Sequence, residues 1–405
     1  MWLILFEDGR YVIMRVISFG HIPSWAGGLQ ESGLANVIYQ IAKHMSCSEE
    51  IEMSMVATDV FVPIRKDGNL TIYGWTKRIL ILYAICHLCF SFRWFALVIL
   101  AKIKYGSIVN IGGYFFKGLH LSRIIRKIKP DAVHLHSMTA CVYVKVIPKH
   151  IKVITTMHGI IGKDTTIKHQ KYLFKMERDV CFSSRYNLLV FIATDLINQF
   201  KSTYGFIASP YNVILNAYDS NAFYFITPQK HDGLVLATIA SFSENKGQKR
   251  VIEAISNSGM KVKYICIGDS TPEFEKEYVS FAQTKGVIFD YKGKKRPSEI
   301  REVLSNVDYM VLPSSTEGFG LVFLEAIACG IPVVLPKQLP IVKETGIIKP
   351  GINAVLLDDC SVNSISEIMP VLGKSSFEHK EVAESIVSYN WDNIARKYIE
   401  CFKEI

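Results

Sequence analysis

The sequence predicts an α/β protein of two domains that contain parallel sheets. The chain has 405 residues, which is too long for one ordinary domain and suits two. Apolar residues make up 49% of it and charged residues 20%, as in folded proteins with large cores. Residues 309–335 combine an apolar run, a glycine-containing loop, an apolar helix and a second apolar run. Such a strand–loop–helix–strand unit is the building block of a parallel sheet.

The first domain begins with an apolar run at residues 14–19, which predicts a strand. Because Met14 looks like a natural start of the chain, residues 1–13 are expected to be an extension. They lack the basic start and sustained apolar core of a signal peptide. Residues 21–42 contain Gly28 and Gly33 ahead of an amphipathic helical pattern. Glycine turns between a strand and a helix allow the backbone to approach a phosphate, although this pattern alone has low specificity.

Residues 79–101 form a long apolar run that, at about 20 residues, is long enough to span a bilayer. His87 and Arg93 lie near its middle, however, where polar and charged side chains are costly. Lysine and arginine residues flank both ends. We therefore expect a helix or helical hairpin that packs on the first domain and enters the membrane surface. A fully buried core helix stays open as an alternative, and a true span is the least expected of the three.

The charge of the chain indicates an anionic partner. The net charge is +9 and the isoelectric point is near 8.9. Basic side chains also occupy one face of a helix predicted over residues 117–129. No nucleic-acid recognition motif accompanies this charge, so phosphates or an acidic membrane surface are favoured over nucleic acid.

The nine cysteines are scattered in apolar contexts, such as those of Cys266 and Cys329. We expect them to be reduced core residues of a cytosolic protein. Cys86 and Cys89 have the spacing of a zinc-ligand pair, but no second pair follows. They are therefore expected to fill a helix, and no metal site is predicted.

Polar side chains follow two further apolar runs of the first domain. Residues 130–136 end at His136, and residues 153–157 are followed by His158 and Gly159. In parallel sheets, ligands bind at the carboxyl ends of the strands. His134 is expected to be structural, whereas His158 is a candidate for ligand contact. An ordinary surface histidine is the alternative for His158.

The second domain is expected to open with a strand at residues 234–240. A polar loop from Ser241 to Arg250 then leads into a helix. Further apolar runs predict strands at residues 263–268 and 286–293, and residues 299–306 have a helical pattern. This alternation continues into the unit at residues 309–335.

Two carboxylates stand out in that unit. Glu325 is the one charged residue of a helix that is apolar nearly all round, so it should be buried, and a lone buried carboxylate is costly unless something pairs with it. Glu317 lies in the preceding loop, next to Gly318, Phe319 and Gly320. Their backbone N–H groups lie at the helix N-terminus, where a diphosphate is favoured.

The run from Glu317 to Glu325, EGFGLVFLE, resembles the E-x7-E motif of retaining glycosyltransferases with the GT-B fold, especially family 4. The resemblance implies two Rossmann-like domains that face a cleft, with a C-terminal helix that crosses back to the first domain. It places an acceptor-binding domain at residues 1–215, a nucleotide-sugar-binding domain at 216–388 and the crossing helix at 389–405.

The resemblance also implies roles for individual residues. Lys246 matches the lysine of a phosphate-binding signature, and Ser241 stands where that signature usually has arginine. Either Lys249 or Arg250 would then supply the second cation, or phosphate binding would be weaker. His158 matches a histidine that contacts the donor sugar. Of the glycines in the first loop, Gly28 is the first choice and Gly33 the second.

In the second domain, Glu325 would accept hydrogen bonds from the ribose. Glu317 would hold a sugar hydroxyl, and the amides from Gly318 to Leu321 would bind the diphosphate, together with Lys246. The residues assigned to catalysis are thus Glu317, His158 and Lys246. No D-x-D motif is present, so no essential divalent metal and no cofactor beyond the donor substrate are expected.

The implied reaction moves a sugar from a nucleotide-diphosphate sugar to a hydroxyl of a glycan or lipid-linked oligosaccharide, with retention. By analogy, the setting is bacterial surface polysaccharide or lipopolysaccharide assembly, on the inner face of the cell membrane. A sugar-nucleotide epimerase of the same fold and an inactive membrane-associated scaffold stay open as alternatives. A Rossmann oxidoreductase is the weakest reading, because G-x-G-x-x-G does not follow the first strand.

Overall fold

A computed structural model describes residues 13–30, 32–161, 169–344, 346–374 and 376–405. The chain divides into two compact units. The first comprises Met1–Asn216 together with Trp391–Ile405, and the second comprises Ala217–Asn390. The predicted extension at residues 1–13 lies outside the described residues except for Ile13.

The first unit is built on a sheet that has eight strands within the described residues, in the order β3-β4-β2-β1-β5-β6-β7-β8. Its strands are β1 Met14–Gly20, β2 Ile51–Ala57, β3 Arg65–Asp67, β4 Leu70–Tyr73, β5 Ala132–His136, β6 Lys152–Met157, β7 Leu188–Phe191 and β8 Tyr211–Val213. All neighbouring strands are parallel except β3 and β4. The central strands are buried because helices cover both faces of the sheet.

The helices of this unit lie between its strands. They are α1 Gly33–Met45, α2 Lys77–Cys86, α3 Leu88–Tyr105, α4 Ile111–Ile128, α5 Ala140–Tyr143, α6 Gln170–Cys181 and α7 Thr194–Tyr204. Three consecutive helices, α2 to α4, lie between β4 and β5. Helix α1 begins where the Ser32 side chain accepts a hydrogen bond from the Ala35 amide, which satisfies one free donor of its first turn. Most of its apolar side chains, among them Val37 and Ile41, are buried in the unit, whereas Leu34 in its first turn is exposed.

The second unit has a six-stranded parallel sheet in its described part, in the order β11-β10-β9-β12-β13-β14. Its strands are β9 Leu234–Ile239, β10 Val262–Ile267, β11 Ile288–Tyr291, β12 Tyr309–Val311, β13 Val333–Pro336 and β14 Ala354–Leu357. Its helices are α8 Gln248–Ser258, α9 Pro272–Thr284, α10 Pro297–Leu304, α11 Leu321–Ala328, α12 Pro340–Lys343, α13 Val362–Leu372 and α14 His379–Glu384. The predicted α/β fold class with two Rossmann-like domains is confirmed.

The last helix, α15 Trp391–Glu404, belongs to the first unit. It packs against α1, and its apolar side chains Trp391, Tyr398 and Phe402 are buried. The Tyr398 hydroxyl lies 3.2 Å from Oγ1 of Thr156, on strand β6. The chain therefore leaves the first unit, forms the second and returns to complete the core of the first.

The order of the strands in each sheet determines which loops lie side by side at its edge. In the second sheet, β9 lies between β10 and β12, so the loops that follow β9 and β12 leave neighbouring strands at one edge. In the first sheet, β1 lies between β2 and β5 in the same way. Ligands of open parallel sheets bind where the strand order reverses in this manner.

The apolar run at residues 79–101 is not a buried core helix, so that alternative is wrong. It forms α2 and α3, which are bent by 113° at a break next to His87. Within the described part of the chain, no single helix is long and apolar enough to cross a bilayer, and this bent pair passes that test only when taken together.

Many large apolar side chains of this pair are exposed. We call this set the α2–α3 apolar face: Ile81, Leu82, Ile85, Leu88, Phe92, Phe95, Leu100 and Ile103.

The expectation of buried cysteines is correct for Cys266 and Cys329 but wrong for three others. Cys86 and Cys89 are exposed beside the bend between α2 and α3, and Cys47 is exposed after α1. The physical reason is that an apolar sequence context does not decide which side of a helix faces the core.

Candidate active site

Two loops of the second unit, which follow β9 and β12, are joined by Asn245. The Asn245 side chain accepts hydrogen bonds from the amide and hydroxyl of Thr316 and donates one to the Thr316 carbonyl. The Asn245 carbonyl accepts a further bond from the Ser315 amide, at 2.9 Å. One residue thus fixes the loop that carries Lys246 against the loop that carries Glu317.

Lys246 and Glu317 form an ion pair in which Nζ lies 2.6 Å from Oε1. The same Oε1 accepts a hydrogen bond of 2.7 Å from the buried Ser314 hydroxyl. The exposed fractions of the two charged side chains are 22% and 11%, so the pair is largely shielded from water. Two residues that the sequence assigns to catalysis are therefore in direct contact.

Helix α11 begins immediately after this pair. Gly320 has φ 86°, a left-handed conformation that favours glycine, and its carbonyl accepts a hydrogen bond from the Phe323 amide. The backbone N–H groups of Gly318, Phe319 and Leu321 form no hydrogen bond with any described group. Together with the helix dipole, these free donors form a site suited to an anion.

Glu325 lies one turn into α11 and is half-buried. Its carboxylate forms no ion pair or hydrogen bond with the described residues. Burial, with a contribution from the charge of Asp219, raises the pKa of Glu325 from 4.5 to about 7. The expectation that Glu325 is buried is therefore met only in part, because it lies near the start of α11, where some side chains are partly exposed. The carboxylate lacks the hydrogen-bond donors that would stabilise its charged form.

Lys249 and Arg250, the two cations considered near Ser241, differ in their partners. Lys249 forms an ion pair with Glu277, so its charge is already compensated. The Arg250 guanidinium instead donates to the carbonyls of Glu244 and Pro313, and forms no ion pair with a described carboxylate. The Ser241 side chain is exposed and has no described partner, while the Ser241 carbonyl accepts a hydrogen bond from Gln248.

In the first unit, His158 follows β6 at the carboxyl edge of the sheet. His158 Nε2 lies 3.1 Å from Nδ1 of His136, whose Nε2 lies 3.2 Å from the Ser18 hydroxyl. Burial lowers the pKa of His158 to about 3, and burial together with the charges of its histidine neighbours lowers the pKa of His136. Both rings are therefore neutral near pH 7. Nδ1 of His158 is buried and has no described partner.

The glycine loop of the first unit is fixed by Asp59, whose carboxylate accepts hydrogen bonds from the amides of Ile22 and Leu29. The N–H group of Gly28 donates to the Pro23 carbonyl at 3.0 Å, so it is not available to a phosphate. A side chain at Gly28 would also collide with the Ile22 carbonyl. Gly33, the second choice, is the first residue of α1 and has open space beside its Cα.

The sequence did not single out four residues of this arrangement: Asn245, Ser314, Arg250 as a link between loops, and His136 as the partner of His158. A polar residue at or just after a strand end was the available signal for His136 and Ser314, whereas Asn245 lies within a polar loop and Arg250 within α8. Among the described residues, no group of three or more His, Cys, Asp or Glu side chains is placed to hold a metal ion.

Two family models match the chain. The model for Glycosyl transferases group 1 matches residues 219–397, and that for Glycosyltransferase Family 4 matches residues 86–222. The GPI3 subunit of phosphatidylinositol N-acetylglucosaminyltransferase from Saccharomyces cerevisiae is 28% identical over 198 residues. That match covers 44% of this chain and only 40% of the yeast protein. A lipopolysaccharide 1,6-galactosyltransferase from Escherichia coli is 24% identical, over 71% of this chain and 80% of its own.

Solved structures share the fold. The apo form of the lipopolysaccharide outer core galactosyltransferase WaaB has a TM-score of 0.65 at 16% identity and covers 97% of this chain and 100% of its own. Anabaena Alr3699/HepE, solved in complex with UDP and glucose, has a TM-score of 0.66 at 15% identity with the same coverage of both chains. With the E-x7-E run at the start of α11, these matches lead to one assignment. The chain belongs to the family 4, group 1 glycosyltransferases, which have the GT-B fold.

Proposed function

We propose that the protein transfers a sugar from a nucleotide-diphosphate sugar to a hydroxyl of a glycan or lipid-linked oligosaccharide. The observation that carries this proposal is the Lys246–Glu317 pair beside the free amides at the start of α11. Cationic and N–H donor groups thus lie next to a carboxylate, which suits a ligand that joins a diphosphate to a polyhydroxylated sugar.

In the proposed reaction, the bond between the anomeric carbon and the diphosphate oxygen breaks, and negative charge develops on the leaving phosphate. The acceptor hydroxyl oxygen bonds to the same carbon, and its proton passes to the leaving diphosphate. Lys246 and the amides from Gly318 to Leu321 stabilise that charge. Lys246 leaves Glu317 for the phosphate when the donor binds, and the freed Glu317 carboxylate accepts a hydrogen bond from a sugar hydroxyl. Ser314 keeps Glu317 in position during this exchange, because its bond to Oε1 does not involve Lys246.

Glu325 is proposed to bind the ribose of the donor. Two ribose hydroxyls would donate to its carboxylate and satisfy the oxygens that have no described partner. These bonds favour the charged form, so donor binding should lower the pKa of Glu325 from its value of about 7. This role gives a physical reason for a single carboxylate in an otherwise apolar helix.

His158 is proposed to contact the donor sugar as a neutral imidazole. Its lowered pKa, about 3, excludes a cationic role near pH 7. The buried Nδ1 has no described partner and is the atom that would hydrogen-bond to a hydroxyl. His136 orients the ring through its contact with Nε2.

Retention at the anomeric carbon, and transfer without an essential metal, are also part of the proposal. Retention is supported by the resemblance of residues 317–325 to the E-x7-E motif. The lack of a D-x-D motif supports transfer without a metal, since the lysine and the amides would then stabilise the leaving group alone. Full activity in the presence of a chelator is the expected result.

We further propose that the protein acts at the inner face of the cell membrane, in surface polysaccharide or lipopolysaccharide assembly. The support is the α2–α3 apolar face, whose members Phe92 and Ile103 are 71% and 75% exposed. Basic residues near it, such as Lys77 and Lys102, suit an anionic surface. The names of two relatives, a phosphatidylinositol N-acetylglucosaminyltransferase subunit and a lipopolysaccharide galactosyltransferase, also indicate amphiphilic acceptors.

The test incubates the full chain with a panel of nucleotide sugars, with and without a membrane lipid extract. Nucleoside diphosphate release that depends on the extract is the expected result, and the anomeric configuration of the product, read by NMR, tests retention. Donor turnover that is equally fast without extract would favour the epimerase alternative. Failure of every donor to bind would contradict the proposal and favour the inactive scaffold.

A further inference from the structure

The first unit contains a cavity of about 740 Å³ that the proposed reaction does not use. Its walls come from α3, the end of α4, the segment at residues 144–149 and the segment at residues 182–186. The last two segments lead into the starts of β6 and β7. The cavity therefore lies towards the amino edge of the sheet, whereas His136 and His158 lie at the carboxyl edge.

The cavity is strongly basic. Six cationic side chains line it and are opposed by one carboxylate, that of Asp179. The cations are Arg93, Lys104, Arg126, Lys145, Lys149 and Arg185. Asp179 is already engaged by Lys104 and by the Tyr105 hydroxyl. The other five cations form no ion pair with a described carboxylate, so an anion in the cavity would meet uncompensated positive charge.

The rest of the wall is apolar and aromatic. Phe90, Trp94 and Leu97 of α3 line one side, and Tyr186 lines another. The Tyr186 side chain is almost fully buried, and its hydroxyl has no hydrogen-bond partner. A buried hydroxyl without a partner is uncommon, and an acceptor bound in the cavity would satisfy it. Cations and an unused donor beside apolar walls match a ligand that has an anionic group and an apolar part.

The cavity adjoins the α2–α3 apolar face along α3. With 3.6 residues per turn, Arg93, Leu97 and Lys104 fall on one side of this helix, which faces the cavity. Leu100 lies at the neighbouring angular position, where the exposed apolar face begins. An apolar chain that leaves the cavity would therefore reach that face directly.

We propose that this cavity binds the phosphate group of an anionic amphiphile, with the phosphate among the five uncompensated cations and the apolar chain along the α2–α3 apolar face. The placement of the apolar chain rests on the proposed membrane contact, whereas the phosphate site does not. The cavity would hold a membrane lipid in addition to the acceptor, and so fix the first unit at the bilayer.

The test titrates the full chain with dihexanoyl phosphatidic acid below its micelle concentration, and separately with inorganic phosphate, by calorimetry. The variant Lys145→Glu/Lys149→Glu reverses two exposed charges that make no ion pair, so it should fold normally. Lys276→Glu, which reverses one exposed charge of the second unit, is the control for a charge reversal outside the cavity. Circular dichroism and nucleoside diphosphate binding by the second unit report on folding.

We expect phosphatidic acid to bind saturably, at least tenfold more tightly than inorganic phosphate. The double variant should weaken this binding at least tenfold, and Lys276→Glu should leave it unchanged. Equal affinity for phosphate and phosphatidic acid would identify a soluble-anion site and overturn the proposal, as would affinity that is unchanged in the double variant. If the short-chain lipid binds as expected but the chain does not bind vesicles, only the membrane contact proposed above fails.

Discussion

At the scale of residues, the stability of the fold depends on the protonation of Glu325, because its carboxylate is half-buried and has no described partner. The folded chain raises its pKa from 4.5 to about 7, so the folded state binds this proton more tightly than the unfolded state does. The group therefore stabilises the fold below pH 4.5, and that contribution is lost as the pH rises through 7.

The first prediction concerns Glu325→Gln, which removes the titration and keeps the shape. The free energy of unfolding of the variant should exceed that of the native chain at pH 8, by at most about 3 kcal/mol, and the two should agree near pH 4. Urea unfolding at the two pH values measures this, with Glu367→Gln on the exposed side of α13 as control. A stability difference that is equal at both pH values would show that Glu325 does not titrate as described.

A second substitution at this position, Glu325→Ala, removes the carboxylate that is proposed to bind the ribose, so it should abolish donor binding.

Lys246 is the second residue with a specific prediction. Lys246→Met removes the charge proposed to stabilise the leaving phosphate, so the rate of acceptor-dependent diphosphate release should fall about 10²- to 10³-fold. Lys249→Met removes a cation from the same chain segment, but Lys249 is paired with Glu277, so this variant should change that rate by less than threefold. Similar losses in both variants would indicate a general effect of charge rather than a role for Lys246.

At the scale of elements, α2 and α3 expose more large apolar side chains than a pair of buried helices would. An Asp substitution at a solvent-exposed site costs little stability but strongly disfavours insertion into a bilayer. Phe92→Asp/Ile103→Asp should therefore reduce binding to anionic vesicles at least tenfold in a sedimentation assay. Val387→Asp/Ile288→Asp, which alters exposed apolar residues of the second unit, should not. Equal loss in both variants, or vesicle binding unaffected by either, contradicts the membrane contact.

The elements also explain which parts could be predicted from the sequence. The predicted helix from Leu321 and the loop before it lie within one short segment, so local residue types define them. The hydrogen bonds between Asn245 and Thr316 join positions 71 residues apart, and no local sequence pattern predicts such a contact. A helical hairpin over residues 79–101 was one of the expected forms, and α2 and α3 have that form. The exposed face of the pair could not be predicted, because an apolar run that is continuous in sequence gives no sign of which side is covered.

At the scale of the whole molecule, we expect α15 to stabilise the first unit but not the second. It contributes Trp391, Tyr398 and Phe402 to the core of the first unit, and burying each such side chain contributes about 1.5–3 kcal/mol or more. Their combined loss approaches the total stability of a typical domain, which is about 5–15 kcal/mol.

Truncation after Asn390 should therefore unfold the first unit and leave the second unit folded. Differential scanning calorimetry should lose one of two transitions, while nucleoside diphosphate affinity stays within about threefold of the full chain. Deletion of residues 403–405, which removes only the exposed end of α15, is the control. Loss of diphosphate binding on truncation would show that the second unit does not hold the donor by itself.

The central claim is that the second unit binds a nucleotide-sugar donor at the loops that follow β9 and β12. Hydrogen–deuterium exchange of the full chain, measured with uridine, guanosine, adenosine and cytidine diphosphates in turn, tests it most directly. At least one of them should slow exchange at the amides of residues 318–321, and in the loop that contains Lys246. Unchanged exchange in these segments with all four, or protection confined to residues 144–149 and 182–186, would contradict the account.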